Sequence, residues 1–172
     1  MLESQKPKIY QEGKERFPAW WIILENLGYL LNWGLGFVLL MPFKYNGMPI
    51  VSWIYLIILV IIQVLLKKHN CASCYYYNKW CHLGWGKLSA IFFKQDSGNP
   101  DLGIKLCISY ILQLPVILVA ALIAGFVYGF TILNVSLLVV FVLLNLLQGV
   151  VLRKKGCEVC KVRFICKGSA AK

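Results

Sequence analysis

The sequence predicts an all-α integral membrane protein, with four transmembrane helices in a bundle and a parallel internal duplication. Three observations predict it. Of the 172 residues, 59% are hydrophobic and only 15% are charged, whereas soluble domains are about half apolar and about a quarter charged. The apolar residues gather in four long uninterrupted runs. The basic residues, which give a net charge of +11, lie in three short polar segments flanking those runs.

The elements follow in order. Residues 1–17 are polar and mixed in charge, and Pro18 opens a first span over Ala19–Met41. A second span covers Ile50–Leu66, a third Lys105–Tyr128 and a fourth Leu133–Leu152. Each is long enough for a hydrocarbon core of about 30 Å at a rise of about 1.5 Å per residue. Lipid offers no hydrogen bonds to open backbone, so these runs must be helices. The first run is too long for the core of a signal peptide. Between the second and third spans, Leu88–Phe93 suits a short interfacial helix. Asp96-Ser97-Gly98-Asn99-Pro100-Asp101 reads as a turn before the third span.

Lysine and arginine set the expected orientation. Lys6, Lys8, Lys14 and Arg16 precede the first span; Lys67, Lys68, Lys79, Lys87, Lys94 and Lys105 lie between the second and third; Arg153 to Lys172 follows the fourth. The 42–49 loop holds only Lys44 and the 129–132 turn holds no basic residue. An even number of spans places the three basic segments on one side, and the positive-inside rule makes that side cytoplasmic. The expected location is therefore a cell membrane, multi-pass, with both termini cytoplasmic. Flanking charge of this kind suits anionic lipid headgroups and argues against nucleic acid as a partner.

Within the single membrane domain (1–172) a repeat is legible. The stretch Leu65-Leu66-Lys67-Lys68-His69-Asn70-Cys71-Ala72-Ser73-Cys74 aligns with Val151-Leu152-Arg153-Lys154-Lys155-Gly156-Cys157-Glu158-Val159-Cys160. The same offset superposes the second span on the fourth and the first on the third. Unit one is then 19–82 and unit two 105–168, joined by an interfacial linker, 83–104. Two spans per unit make the halves parallel, related by an axis along the membrane normal.

Chemistry points to the cysteines. Cys71, Cys74 and Cys81 are spaced C-x2-C-x6-C, and Cys157, Cys160 and Cys166 are spaced C-x2-C-x5-C. A C-x2-C turn aims two thiolates at one ion and a third cysteine after a short loop helps close the site, yet three thiolates leave a tetrahedral ion one ligand short. His69 or His82 can complete the first group, while the second contains no histidine. Sharing between the groups removes the shortage, as two zinc ions with bridging thiolates or as one iron–sulfur cluster on four of the six. Lys67, Lys68, Arg153, Lys154 and Lys161 are expected to offset the thiolate charge and to lower thiol pKa values. Free structural cysteines and paired redox thiols are the alternatives. Cys107, inside the third span, reads as packing.

The first triplet resembles one half of the binuclear zinc cluster of fungal transcription factors. The second departs from it by one residue, and two helices separate the triplets here. The resemblance covers the triplets alone and implies similar ligand geometry, not DNA binding.

Other features are weaker. Glu25 lies shallow in the first span and is expected to reach headgroups or pair with a lysine. Asn32, Gln63, Gln113, Asn134, Asn145 and Gln148 can join helices through hydrogen bonds. The aromatic, basic stretch Tyr75–Lys87 suits the lipid interface. Both histidines lie outside the spans, so a membrane-buried haem is not expected. No HExxH motif, phosphate loop or Ser–His–Asp set is present.

The leading expectation is a membrane subunit carrying a cysteine-ligated zinc or iron–sulfur centre at the cytoplasmic face, for electron transfer or docking with a protein partner in a larger complex. The enzymatic alternative is a quinone-linked thiol/disulfide oxidoreductase. In length and helix number the chain resembles the four-helix disulfide-generating membrane enzymes, whose cysteines lie on the non-cytoplasmic side. A small transporter or a structural membrane protein without metal is the third alternative.

Overall fold

The computed structural model describes residues 9–166 and 168–171. Four long helices dominate it: α1 (Ala19–Leu40), α2 (Ile50–Leu66), α4 (Pro100–Tyr128) and α5 (Ile132–Leu146), with two short helices, α3 (Trp85–Phe92) and α6 (Arg153–Glu158). All four long runs are apolar and long enough to cross a membrane, and the chain is a multi-pass membrane protein.

Local chemistry explains most boundaries. Pro18 precedes α1 in an extended conformation, and Pro49 precedes α2. Asn46 and Gly47 both have positive φ, at 49° and 79°. They form the centre of a tight turn in which Tyr45 and Met48 exchange backbone hydrogen bonds of 2.9 and 3.0 Å. Asn-Gly suits such a turn because both residues tolerate the left-handed conformation. Thr131 Oγ1 accepts the Asn134 amide at 3.1 Å and caps α5.

Three boundaries differ from expectation. The helix read as starting at Lys105 begins at Pro100. Asn99 Oδ1 accepts the amides of Asp101 and Leu102 at 3.0 and 3.3 Å, and proline is favoured at the first helical position. The expected turn therefore ends at Asn99, and the linker 83–104 contains both α3 and the first turn of α4. The interfacial helix begins at Trp85, three residues earlier than expected. Both cysteine triplets also start inside helix rather than after it. α2 runs on as a π-helical turn, Lys67–Cys71, and α5 runs on through a π-helical stretch, Leu147–Leu152, into α6.

α1 packs against α2, α4 and α5, while α4 also packs against α2 and α5. α1 and α4 thus form the middle of the bundle, with α2 and α5 on its flanks. The apolar core lies toward the end with the short turns and centres on Leu39, Leu40, Ile117 and Phe141. Large apolar side chains such as Leu27, Ile57, Ile111, Val116 and Leu143 point outward. In water that surface would be costly; in a bilayer it is the lipid-facing face.

Polar side chains join the helices where lipid leaves no other partner. Asn32 Nδ2 donates to Gln148 Oε1 at 3.2 Å, and Asn145 Nδ2 donates to Asn32 Oδ1 at 3.1 Å, linking α1 to α5 and its continuation. Gln63 donates to the Tyr110 hydroxyl and Gln113 to the Tyr55 hydroxyl, both across α2 and α4. Asn134 differs from the others: its backbone amide serves the α5 cap.

Candidate metal centre

The N-terminal segment, the segment after α2 and the tail after α6 meet at one end of the bundle. Tyr10 N donates to Lys161 O at 2.9 Å and Lys14 N to Val159 O at 2.8 Å, so the turn over residues 10–13 is pinned to 159–161, with one isolated bridge between Lys14 and Cys160. Tyr76 fastens the three together. Its ring is 2% exposed; its hydroxyl donates to Lys14 O at 2.5 Å and accepts the Lys161 amide at 3.1 Å. The aromatic stretch expected at the lipid interface is therefore partly a folded cap. Tyr77 bonds Phe93 O, Tyr75 bonds Glu15, and Trp80 remains exposed. Gly86 allows the cap to close. A Cβ there would lie 2.0 Å from Tyr76 O and 2.8 Å from Lys79 O, backbone atoms that cannot swing aside.

The two C-x2-C sequences make the same backbone turn. Cys74 N donates to Cys71 O at 3.3 Å, and Cys160 N to Cys157 O at 3.1 Å. The segments that carry the two triplets meet at Tyr76, which follows Cys74 by two residues and whose hydroxyl accepts the amide of Lys161, the residue after Cys160. All seven cysteines are free thiols. Cys71, Cys74, Cys81, Cys157 and Cys160 are half-buried and Cys166 is exposed. Among the described residues, no three His, Cys, Asp or Glu side chains stand close enough together to hold a metal ion. The fold brings the triplets to one place with their thiols still apart.

The expected lowering of thiol pKa values does not occur at Cys74 and Cys160. Burial pushes the Cys74 thiol up to about 11, and the neighbouring cysteines add to it. Burial also raises Cys160, against opposing hydrogen bonds from the Val162 backbone and the Tyr76 hydroxyl. Several of the cations invoked are engaged elsewhere. Lys161 Nζ reaches Gln11 O at 2.8 Å and Glu15 at 3.1 Å. Lys67 Nζ sits 4.5 Å from the Trp85 ring centre, and Arg153 bonds Gly168 O at 2.8 Å. Lys161 and the Tyr75 hydroxyl instead hold the Glu15 carboxyl below its usual range, the tyrosine contributing most.

The structure separates the two histidines. His69 Nδ1 accepts the Asn99 amide at 3.0 Å and ties the linker to the end of α2. His82 Nδ1 is 2.8 Å from Glu25 Oε2. A carboxylate accepts, so this nitrogen is the donor. The His82 ring also packs on Gly156, next to Cys157; a Cβ on that glycine would come within 3.3 Å of the ring. His82 thus follows Cys81 in the chain and touches the approach to the second triplet.

Sequence reasoning singled out Glu25 but not its partners, and it missed the role of Tyr76. Glu25 is 4% exposed and pairs with His82 and with Trp21 Nε1 at 2.6 Å, not with a lysine or headgroup. An aromatic residue and a carboxylate four residues apart on α1 was a legible signal for the Trp21 contact; the His82 contact crosses 57 residues and was not legible. Cys107 also lies nearer the first triplet than expected, with Asn70 Nδ2 3.8 Å from its sulfur. Comparison with protein-family models, with curated proteins and with solved structures finds no match for this chain.

Proposed function

We propose that this protein is a membrane subunit whose two cysteine triplets, Cys71, Cys74, Cys81 and Cys157, Cys160, Cys166, together hold a zinc or iron–sulfur centre at the cytoplasmic face. The observation that carries this reading is the hydrogen bond of 3.1 Å from the Lys161 amide, next to Cys160, to the hydroxyl of Tyr76, two residues after Cys74, which brings the segments of the two triplets to one place. Converging thiolates repel one another, and binding an ion would supply the energy to turn them inward. A zinc centre would clamp the two halves and shape a docking surface for a protein partner. An iron–sulfur centre would pass one electron at a time to that partner.

The proposed duplication, 19–82 and 105–168, rests on the matched sequence spacing and on the like backbone turns of the two C-x2-C sequences. The raised Cys74 thiol weighs against the quinone-linked oxidoreductase alternative, because a nucleophilic cysteine needs a lowered pKa.

The deciding measurement is elemental analysis with an absorption spectrum on protein purified without oxygen. Stoichiometric zinc without colour supports the clamp; iron with charge-transfer absorption supports electron transfer. Background levels of both metals, with every thiol titratable, would remove the metal reading. A second prediction concerns sidedness. The basic residues beside the spans place the cysteine end in the cytoplasm. A membrane-impermeant maleimide added to intact cells should leave the half-exposed Cys71 and Cys157 unlabelled, and label them in inverted vesicles. Labelling in intact cells would reverse the topology.

A further inference from the structure

Below the cysteine cluster, a cavity of about 10 Å³ lies between Glu25, Tyr29, His82, Gln148, Leu152 and Arg153. Glu25 and Gln148 are 4% and 5% exposed. The Glu25 carboxylate accepts from Trp21 and His82. Gln148 Nε2, also buried, has no hydrogen-bond partner among the described residues. Two features make room for this amide. It stands on the π-helical stretch Leu147–Leu152, a geometry often found at functional sites. It also lies over Gly28, where a Cβ would fall 2.3 Å from Gln148 Nε2.

The orientation of Gln148 is fixed by a chain of amides. Asn145 Nδ2 donates to the Phe141 backbone carbonyl at 2.9 Å. A carbonyl cannot donate, so that end of Asn145 must be its nitrogen. The same nitrogen donates to Asn32 Oδ1, which turns Asn32 Nδ2 toward Gln148 Oε1. Gln148, which lines the cavity, therefore turns its N–H groups away from Asn32; reversing it would set two donors against each other.

We propose that this cavity is a hydration site holding one water, which accepts a hydrogen bond from Gln148 Nε2 and donates one to the Glu25 carboxylate. The volume matches a single water, and a buried water needs two to four polar partners. Each carboxylate oxygen keeps a lone pair beyond its present bond. A cation would not answer an orphaned donor. An anion would share the cavity with Glu25 and find no room. The water completes a polar chain from His82, beside Cys81, through Glu25, Gln148 and Asn32 to Asn145. It thereby couples the loop that carries the first triplet to the helix that carries the second. This inference stands whether or not a metal is bound.

The test is nuclear magnetic resonance of the full chain in lipid nanodiscs, with side-chain 15N-glutamine labelling and Gln148→Glu to assign the resonance. The wild-type Gln148 amide should show a cross-peak to water and none to headgroup protons. In Asn32→Asp the new carboxylate only accepts, so Gln148 turns its N–H groups toward residue 32. The water cross-peak should then vanish while the Gln148 resonance persists. Absence of the cross-peak in the wild type, a cross-peak to lipid headgroups instead, or its survival in Asn32→Asp would each overturn the proposal. Should Asn32→Asp not fold, the wild-type spectrum alone decides.

Discussion

Cys157→Ser is expected to empty the proposed centre as completely as Cys71→Ser, although the two residues belong to different triplets. Neither triplet alone supplies four thiolates, and Tyr76 ties the segment of the first triplet to that of the second. In a shared centre each lost ligand weakens every metal–thiolate bond in the site. Losing a supporting residue around a metal typically costs about 10–100-fold in affinity, so loss of a ligand should cost more. Metal content per chain should fall to near background in both variants. Because metal binding is also local folding energy, the cap that carries the triplets should become sensitive to protease in both. Loss of half the metal in each variant would instead indicate two independent sites, and the shared centre would be abandoned. A cysteine outside the triplets provides the control: Cys107→Ser should leave metal content unchanged.

Tyr76→Phe is the second change with a large expected effect. The ring keeps its packing on Phe17 at 6.2 Å and on Tyr75 at 5.3 Å. The lost hydroxyl leaves the Lys14 carbonyl without its donor and the Lys161 amide without its acceptor. An orphaned buried polar group costs about 1–3 kcal/mol, so the cap should lose roughly 2–4 kcal/mol, allowing some relief from water. Hydrogen exchange reads this directly. The Lys161 amide should exchange about a hundredfold faster or more, since each 1.4 kcal/mol is a factor of about ten, while amides in the middle of α1 and α4 stay protected. Tyr75→Phe is the matched control. Its hydroxyl bonds only the exposed Glu15 carboxylate at 2.8 Å, and exposed pairs contribute little. Unchanged Lys161 exchange in Tyr76→Phe would show that Tyr76 does not hold the cap together.

Helix boundaries show where local chemistry was enough. Ile50–Leu66 matches the sequence reading residue for residue, because Pro49 and the apolar run define it without help from the rest of the fold. The start of α4 was legible too, had Asn99-Pro100 been weighed as a cap and first turn rather than as a loop. The π-helical stretches after α2 and α5 had no such signal, since they depend on how the helix ends meet their neighbours.

By itself, then, the sequence determined the four spans, the end at which the basic residues gather, the two C-x2-C turns and most of the amides that join the helices. Each of these follows from the solvent preference of a residue or from spacing along a few turns of chain. Only the tertiary structure decided that Tyr76 ties three segments together, that Glu25 holds His82 rather than a lysine, and that burial raises the Cys74 and Cys160 thiols against the hydrogen bonds that would lower them. Those outcomes depend on distances between groups about 60 or more residues apart and on how far each is removed from water. Neither quantity is written in any local stretch of the chain.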